Sequence, residues 1–169
     1  MMIEVITSHI NTDFDGLAAM LAAHHLYPQA VMVLPGSPER SLHDFFLHSY
    51  SYVYPFKRLK DIDLAEIKRL IVVDTCQKSR IGPFAEVAAR PEVEVIVYDH
   101  HPATIDDLEG VSLSEVAEVG AVVSLMTEKL REKGLIISAD EATVMLIGLY
   151  EDTGSLTFQG TTGRDFMAA

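Results

Sequence analysis

Two runs limit the fold of this chain more than anything else in it. Residues 70–73 (LIVV) and 93–98 (VEVIVY) are almost continuously apolar, and each gives way at its C-terminal end to acidic or histidine residues. A strand with one wet face alternates apolar and polar side chains, whereas a strand apolar at nearly every position is covered on both faces. Such strands belong to a parallel sheet between helix layers. Residues 3–7 and 30–34 (AVMVL) add two more β-rich runs, the second stopped by Pro35-Gly36. Helical segments stand between them: 17–26, rich in alanine and leucine and stopped by Pro28; 42–48; 81–89, with Pro83 in its first turn; and 121–133 and 139–150, separated by Gly134. Residues 156–158 suit a short edge strand. The expected fold is α/β, a mostly parallel β-sheet flanked by helices on both faces. The 169 residues fit one domain. Thr161-Thr162-Gly163 opens a further helix with Asp165 in its first turn, and the sequence stops soon afterwards. A short frayed terminus is one reading of this end; the other, taken as the expectation, is that residues 1–169 are the N-terminal domain of a larger protein.

Composition removes several function classes. Acidic residues outnumber basic ones 25 to 13, for a formal net charge of −12, which argues against a broad basic footprint for duplex nucleic acid. One cysteine excludes a disulfide framework and a cysteine-rich zinc site. No apolar run reaches the roughly 18–20 residues of a membrane span. The opening MMIEVITSHINTD lacks the basic region and apolar core of a signal peptide, so a cytoplasmic protein is the expectation.

The chemistry-bearing residues gather where the strands end. Strand 3–7 runs into Ser8-His9-Ile10-Asn11-Thr12-Asp13-Phe14-Asp15-Gly16, strand 70–73 into Asp74-Thr75, and strand 93–98 into Asp99-His100-His101; helix 139–150 runs into Glu151-Asp152-Thr153-Gly154. Ligands of open parallel sheets bind outside the carboxyl ends of the strands. The expected crevice holds Asp13, Asp15, Asp74 and Asp152 with His9 and His100. Four carboxylates packed together repel one another unless cations intervene, and two divalent metals balance them. Histidine beside carboxylate favours a borderline transition metal, Mn²⁺ first, with Fe²⁺, Co²⁺ or Zn²⁺ as alternatives; Mg²⁺ fits two histidines less well. A two-metal site clamps the attacking and leaving oxygens of a phosphoryl displacement and acidifies a bound water. Taken alone, each element has a plainer reading. Asp13-x-Asp15 equally suits a helix N-cap with a first-turn acid, and a histidine at a strand end is often only hydrogen-bonded.

The motifs HINTDFDG, VDT, DHH and YEDTG, in that order, resemble motifs I to IV of the DHH phosphoesterase superfamily, whose members include single-strand nucleases, family II inorganic pyrophosphatases, exopolyphosphatases and nucleotide phosphodiesterases. SHINTDFDGLAAMLAA, PGSPE, VDT…SRIG, YDHHP and EATVMLIGLYEDTGS look most like the branch that continues into CBS domains and a tRNA nucleotidyltransferase/poly(A) polymerase unit. The resemblance implies that His9 and Asp13 bind one metal, that Asp15, His100 and Asp152 bind a second, and that Asp74 bridges both. It implies that His101 stands beside the leaving group or the phosphate and that Asp99 orients the histidine pair. It implies a nucleotide, oligonucleotide or other small phosphate-containing substrate, contact with RNA or tRNA only through further C-terminal domains, and no membrane, and it allows a homodimer. Two features depart from the pattern: the C-terminal substrate domain of active members is absent from these residues, and Cys76 stands where related sequences tend to carry a basic residue.

Other residues have plainer readings. His24 and His25 are expected to pack or face solvent, and His43 and His48 to be structural. Cys76 reads as a small buried hydrophobe, with redox sensitivity as the alternative. Lys78 and Arg80 suit either phosphate contacts at the crevice rim or the solvated surface. Ser37-Pro38-Glu39-Arg40 reads as a helix start, and Tyr50, Tyr52 and Tyr54 as a packed strand face. Three functions compete. The first is a metal-dependent phosphoesterase domain acting on a phosphodiester or phosphoanhydride. The second is a catalytically weak metal- or nucleotide-binding regulatory module of a nucleotidyltransferase. The third, a receiver-type switch domain, has no need of DHH.

Overall fold

The computed structural model describes residues 3–48 and 56–169. Five strands form one sheet: β1 (Ile3–Thr7), β2 (Val31–Met32), β3 (Ile67–Val73), β4 (Glu94–Asp99) and β5 (Leu113–Val116). Their order is β2-β1-β3-β4-β5, and every neighbouring pair runs parallel. Six α-helices accompany them: α1 (Phe14–Leu26), α2 (Arg40–His48), α3 (Phe84–Ala88), α4 (Val122–Glu132), α5 (Ala139–Thr153) and α6 (Gly163–Ala168). Tyr50, Tyr52 and Tyr54 lie outside the described residues.

The continuous apolar strands have the cause anticipated for them. Ile6, Ile71, Val73, Ile96 and Tyr98 point into a core shared with α1, α4 and α5. Their strand neighbours Val5, Leu70, Val72, Val95 and Val97 point into a second core with Phe84 and Val87 of α3. Alternate residues thus enter opposite layers, and both layers are dry. The layers are unequal: three long helices cover one face, and the short α3 with its neighbouring turns covers the other.

Helix α1 lies deepest. It is buried from Phe14 to Ala23 and packs against both α4 and α5. Its run of alanines follows from that position, since a helix covered all round must be apolar all round and small where neighbours come close. Gly148 of α5 marks the closest approach: a Cβ there would lie 2.7 Å from the Phe14 carbonyl oxygen and 3.0 Å from the Asp15 Cα. His25 joins α1 to α5 through Glu141 at 2.8 Å, and His24 holds the Ala30 carbonyl at 3.1 Å. Both histidines are packing residues, as expected. His43 is exposed on α2.

Three expectations need correction. Residues 156–158 are not a strand. After α5 the chain passes through three consecutive left-handed residues, Gly154, Ser155 and Leu156, and the N–H groups of Thr157 and Phe158 both return to the Thr153 carbonyl. The edge strand beside β4, β5, was not anticipated; its residues are mostly exposed, so it lacks the apolar continuity that reveals the inner strands. The helix expected over 81–89 is present but shorter: α3 covers Phe84–Ala88, with Pro83 at its N-cap rather than in its first turn, and a separate 3-10 turn, Lys78–Arg80, precedes it. In addition, α1 starts at Phe14 and α5 continues to Thr153, each three residues beyond the expected limit. Both extensions carry an aspartate, Asp15 or Asp152, into a helix.

Candidate metal centre

The register of the sheet sets the C-terminal ends of its inner strands side by side. Thr7 pairs with Val72, and Val73 pairs with Tyr98. The segments that follow β1, β3 and β4 therefore leave the sheet together, and the C-terminal turn of α5 meets them. The loop after β1 is braced by backbone hydrogen bonds from Ile10 to Arg80, from Asn11 to Ser37 and from Glu39 to Thr12. Thr12 Oγ1 closes it by donating to the His9 carbonyl at 2.6 Å. Residues 37–39 are thus a brace for this loop, and α2 begins only at Arg40.

Asp13 is the N-cap of α1, accepting from the Gly16 N–H at 3.0 Å, and Asp15 is in the first turn. The capping reading of this pair is correct, and both aspartates also face the crevice. Gly16 is required by proximity: a Cβ would stand 2.7 Å from Ser8 Oγ and 3.3 Å from Asp74 Oδ2. Asp15 is fully buried and accepts from the N–H groups of Val122 and Val123 at 2.7 and 3.0 Å. It caps α4, whose own N-cap residue, Ala121, has no side chain to do so. Asp74 follows β3 with φ at 62°, in the left-handed region.

These residues form two adjoining groups, His9–Asp13–Asp74 and Asp15–His100–Asp152, in each of which candidate ligand atoms lie within 4.8 Å of one another. Asp74 offers one oxygen to each group. Its Oδ2 is 3.1 Å from His9 Nε2, and its Oδ1 is 3.4 Å from His100 Nε2. His9 Nε2 is 3.7 Å from Asp13, and His100 Nε2 is 3.4 Å from Asp152 and 3.9 Å from Asp15. The six residues expected to meet do so. His101 Nδ1 bonds to Asp99 Oδ1 at 2.7 Å, and the same oxygen accepts the N–H groups of His100 and His101.

The electrostatics of this arrangement call for cations. Nδ1 of His9 faces the Ile10 carbonyl and Nδ1 of His100 faces the Val119 carbonyl, at 2.9 and 3.1 Å. Each Nδ1 must therefore carry a proton, which leaves Nε2 aimed at carboxylate oxygens. A neutral ring would set a lone pair against those oxygens, so Nε2 must hold a proton or a metal. Burial disfavours the charged rings, yet the carboxylates of Asp13 and Asp74 raise His9 from 6.5 to about 10, and those of Asp152 and Asp74 raise His100 to about 11. Burial, together with repulsion from Asp74 and Asp152, pushes Asp15 well above the usual carboxylate range. Asp99 is held low against its burial by His101 and the facing Cys76. Two buried atoms at the junction of the groups, Asp74 Oδ1 and His100 Nε2, make no hydrogen bond. A mixed nitrogen and oxygen donor set with orphaned donors at its centre fits divalent cations.

Cys76 is partly buried, and desolvation together with Asp99 raises its thiol pKa, which favours the small-hydrophobe reading over redox sensitivity. Glu151 was missed. It accepts from the Phe14 N–H at 3.0 Å, tying α5 to the start of α1, and burial followed by the charges of Asp13 and Glu39 raises its pKa. Its place beside Asp152 in YEDTG was the available signal.

The model of the DHH family, N-terminal domain, matches residues 4–149. The chain belongs to the DHH family. It is 51% identical over 166 residues to the A-adding tRNA nucleotidyltransferase of Geobacter sulfurreducens, covering 98% of this chain but 19% of that protein. It is 28% identical over 173 residues to a probable manganese-dependent inorganic pyrophosphatase of Lactobacillus delbrueckii subsp. bulgaricus, covering 96% of this chain and 51% of that one. An exopolyphosphatase-related protein from Bacteroides fragilis shares the fold, with a TM-score of 0.76 at 19% identity over 99% of this chain and 51% of the other. This DHH chain thus spans about a fifth of its nucleotidyltransferase relative. Among its described residues, no helix is long and apolar enough to cross a membrane.

Proposed function

We propose that this DHH domain is a metal-dependent phosphoesterase, hydrolysing a phosphodiester or phosphoanhydride, and that it forms the N-terminal domain of a tRNA nucleotidyltransferase/poly(A) polymerase-type protein. The observation that carries the reading is Asp74, whose two oxygens serve two separate His–Asp groups. In this proposal His9, Asp13 and Asp74 hold one divalent ion and Asp15, His100, Asp152 and Asp74 a second, with Mn²⁺ the first candidate. The likeness to a probable manganese-dependent pyrophosphatase supports that choice. Bound there, the ions would neutralise the carboxylates and lower the pKa of a coordinated water towards about 7. The chain's own residues do the rest. The backbone-anchored Nδ1 atoms fix His9 and His100 so that Nε2 faces the crevice. Asp99 fixes His101 in the same way, and His101 is partly exposed at the mouth, where its Nε2 can give a proton to a leaving oxygen.

The experiment is hydrolysis of a bis-aryl phosphate with Mn²⁺. The wild-type chain turns it over and Asp74→Ala does not, while His101→Ala binds Mn²⁺ normally and reacts slowly. Mn²⁺ binding with no turnover, in this chain and in the longer protein, selects the regulatory-module reading, which the fifth-of-length match to a nucleotidyltransferase favours. Full activity of Asp74→Ala sinks both.

A further inference from the structure

A groove of about 530 Å³ lies between α4, α5 and the last residues of α6, and none of the six candidate ligands lines it. Its floor is apolar, with buried Leu130 from α4 and buried Met145 and Leu149 from α5. Among the described residues around it none is acidic, and its three polar side chains are already engaged. Thr127 and Thr143 donate to the carbonyls of Val123 and Ala139, one turn back in their own helices, at 2.8 Å each. Arg131 Nη1 donates to the Met167 carbonyl at 2.6 Å. A polar ligand would find little to bind here, and an apolar side chain would find much. Ile136 stands on the rim, 89% exposed. An exposed isoleucine by itself means nothing, but beside an open apolar groove it extends a surface suited to a partner.

Helix α6 leads into this groove. It lies along α4, with Asp165 bonded to Gly120 and Ser124 at the start of that helix and the Met167 carbonyl bonded to Arg131 in its last turn. Helical bonding persists to the Ala169 N–H, which donates to the Asp165 carbonyl at 3.1 Å, and Ala168 and Ala169 themselves line the groove. This chain covers only 19% of its Geobacter sulfurreducens relative, so a protein of that kind has much more chain to place. A segment tethered at the edge of the groove is held there at an effective concentration of roughly millimolar, an advantage that no separate molecule has. We propose that the groove seats the segment that follows Ala169 in the longer protein, as a continuation of α6 whose apolar stripe covers Ile136 and the floor. This seating rests on the N-terminal-domain reading and is independent of phosphoester hydrolysis.

The test is photo-cross-linking in the natural full-length protein, with benzoylphenylalanine in place of Ile136 and the cross-linked peptides mapped by mass spectrometry. The expected product has the mass of a single chain and joins position 136 to the segment within about 20 residues after Ala169, which as a helix spans about 30 Å. The same photophore in place of Ile105, fully exposed and outside the groove, should capture none of that segment. Ile136→Asp should make protease cleavage just after Ala169 about tenfold faster, because cleavage tracks the population of the undocked segment. Ile105→Asp should leave that rate unchanged. The proposal is overturned if position 136 cross-links to a second copy, to a more distant part of the same chain or to nothing, or if Ile136→Asp is cleaved at the wild-type rate. A natural protein that ends at Ala169 would end the N-terminal-domain reading together with the seating. A longer protein without the cross-link ends the seating alone.

Discussion

Asp165 offers the sharpest test of how the far end of the chain is tied to the crevice. Its carboxylate is fully buried, and four donors converge on it: the Gly120 N–H at 2.9 Å, Ser124 Oγ at 2.6 Å, and the N–H and Oγ1 of Thr162 at 2.7 and 2.8 Å. Two belong to the start of α6 and two to the start of α4, the same helix end that Asp15 caps. Replacing Asp165 by alanine strands all four. The hydroxyls can turn elsewhere, but the two N–H groups are fixed by the backbone. At about 1–3 kcal/mol for each unsatisfied buried group, and with some water able to enter, the loss is about 2–4 kcal/mol. For a chain of this size that lowers the melting temperature by about 5–15 °C. The assay is a thermal melt followed by circular dichroism, with Mn²⁺ affinity measured on the folded variant; because α4 would lose one of its two anchors, affinity should fall as well. A melting temperature within about 1 °C of wild type would refute the accounting. The pH dependence has a definite sign. The donors from Ser124, Thr162 and Gly120 outweigh burial and hold the Asp165 carboxyl below its ordinary 3.8. Its stabilisation is fully present above that value and is lost as pH falls through the lower folded value. The gap between wild type and Asp165→Asn should therefore be constant near neutrality and shrink below pH 3.8.

Two further outcomes follow from the packing and the charge of the site. Gly148→Ala must push α5 away from the backbone of Phe14 and Asp15, at about 1–3 kcal/mol; a urea midpoint equal to wild type would contradict the contact. Millimolar Mn²⁺ should raise the melting temperature, since a ligand at 100 times its dissociation constant adds about 2.7 kcal/mol. The same scan of Asp74→Ala should show little shift, and an unshifted wild type would count against the centre.

The sequence by itself determined the sheet and the edge of it at which the candidate ligands gather. Unbroken apolar runs at Leu70–Val73 of β3 and Val95–Tyr98 of β4 leave no wet face there, so a sheet between two layers was the available solution. A parallel sheet with its motifs at the strand ends then placed His9, Asp74 and His100 on one edge. Local signals also located the helix start at Thr162, because a capping box involves residues only three apart. What sequence could not supply was any relation set by distant partners. Strand β5 is exposed and gains its place only by pairing with β4, so its own residues hardly announce it. The turn at 154–158 follows from backbone left-handedness in Ser155 and Leu156, residues that seldom adopt it. Asp15 reads as a helix-start acid; that it also caps α4, 107 residues away, depends on how α1 and α4 pack. The same holds for Asp165 and Gly120, 45 residues apart. Hydrophobic periodicity is written along the chain, but the pairing of a buried carboxylate with a remote helix end is decided only when the helices meet.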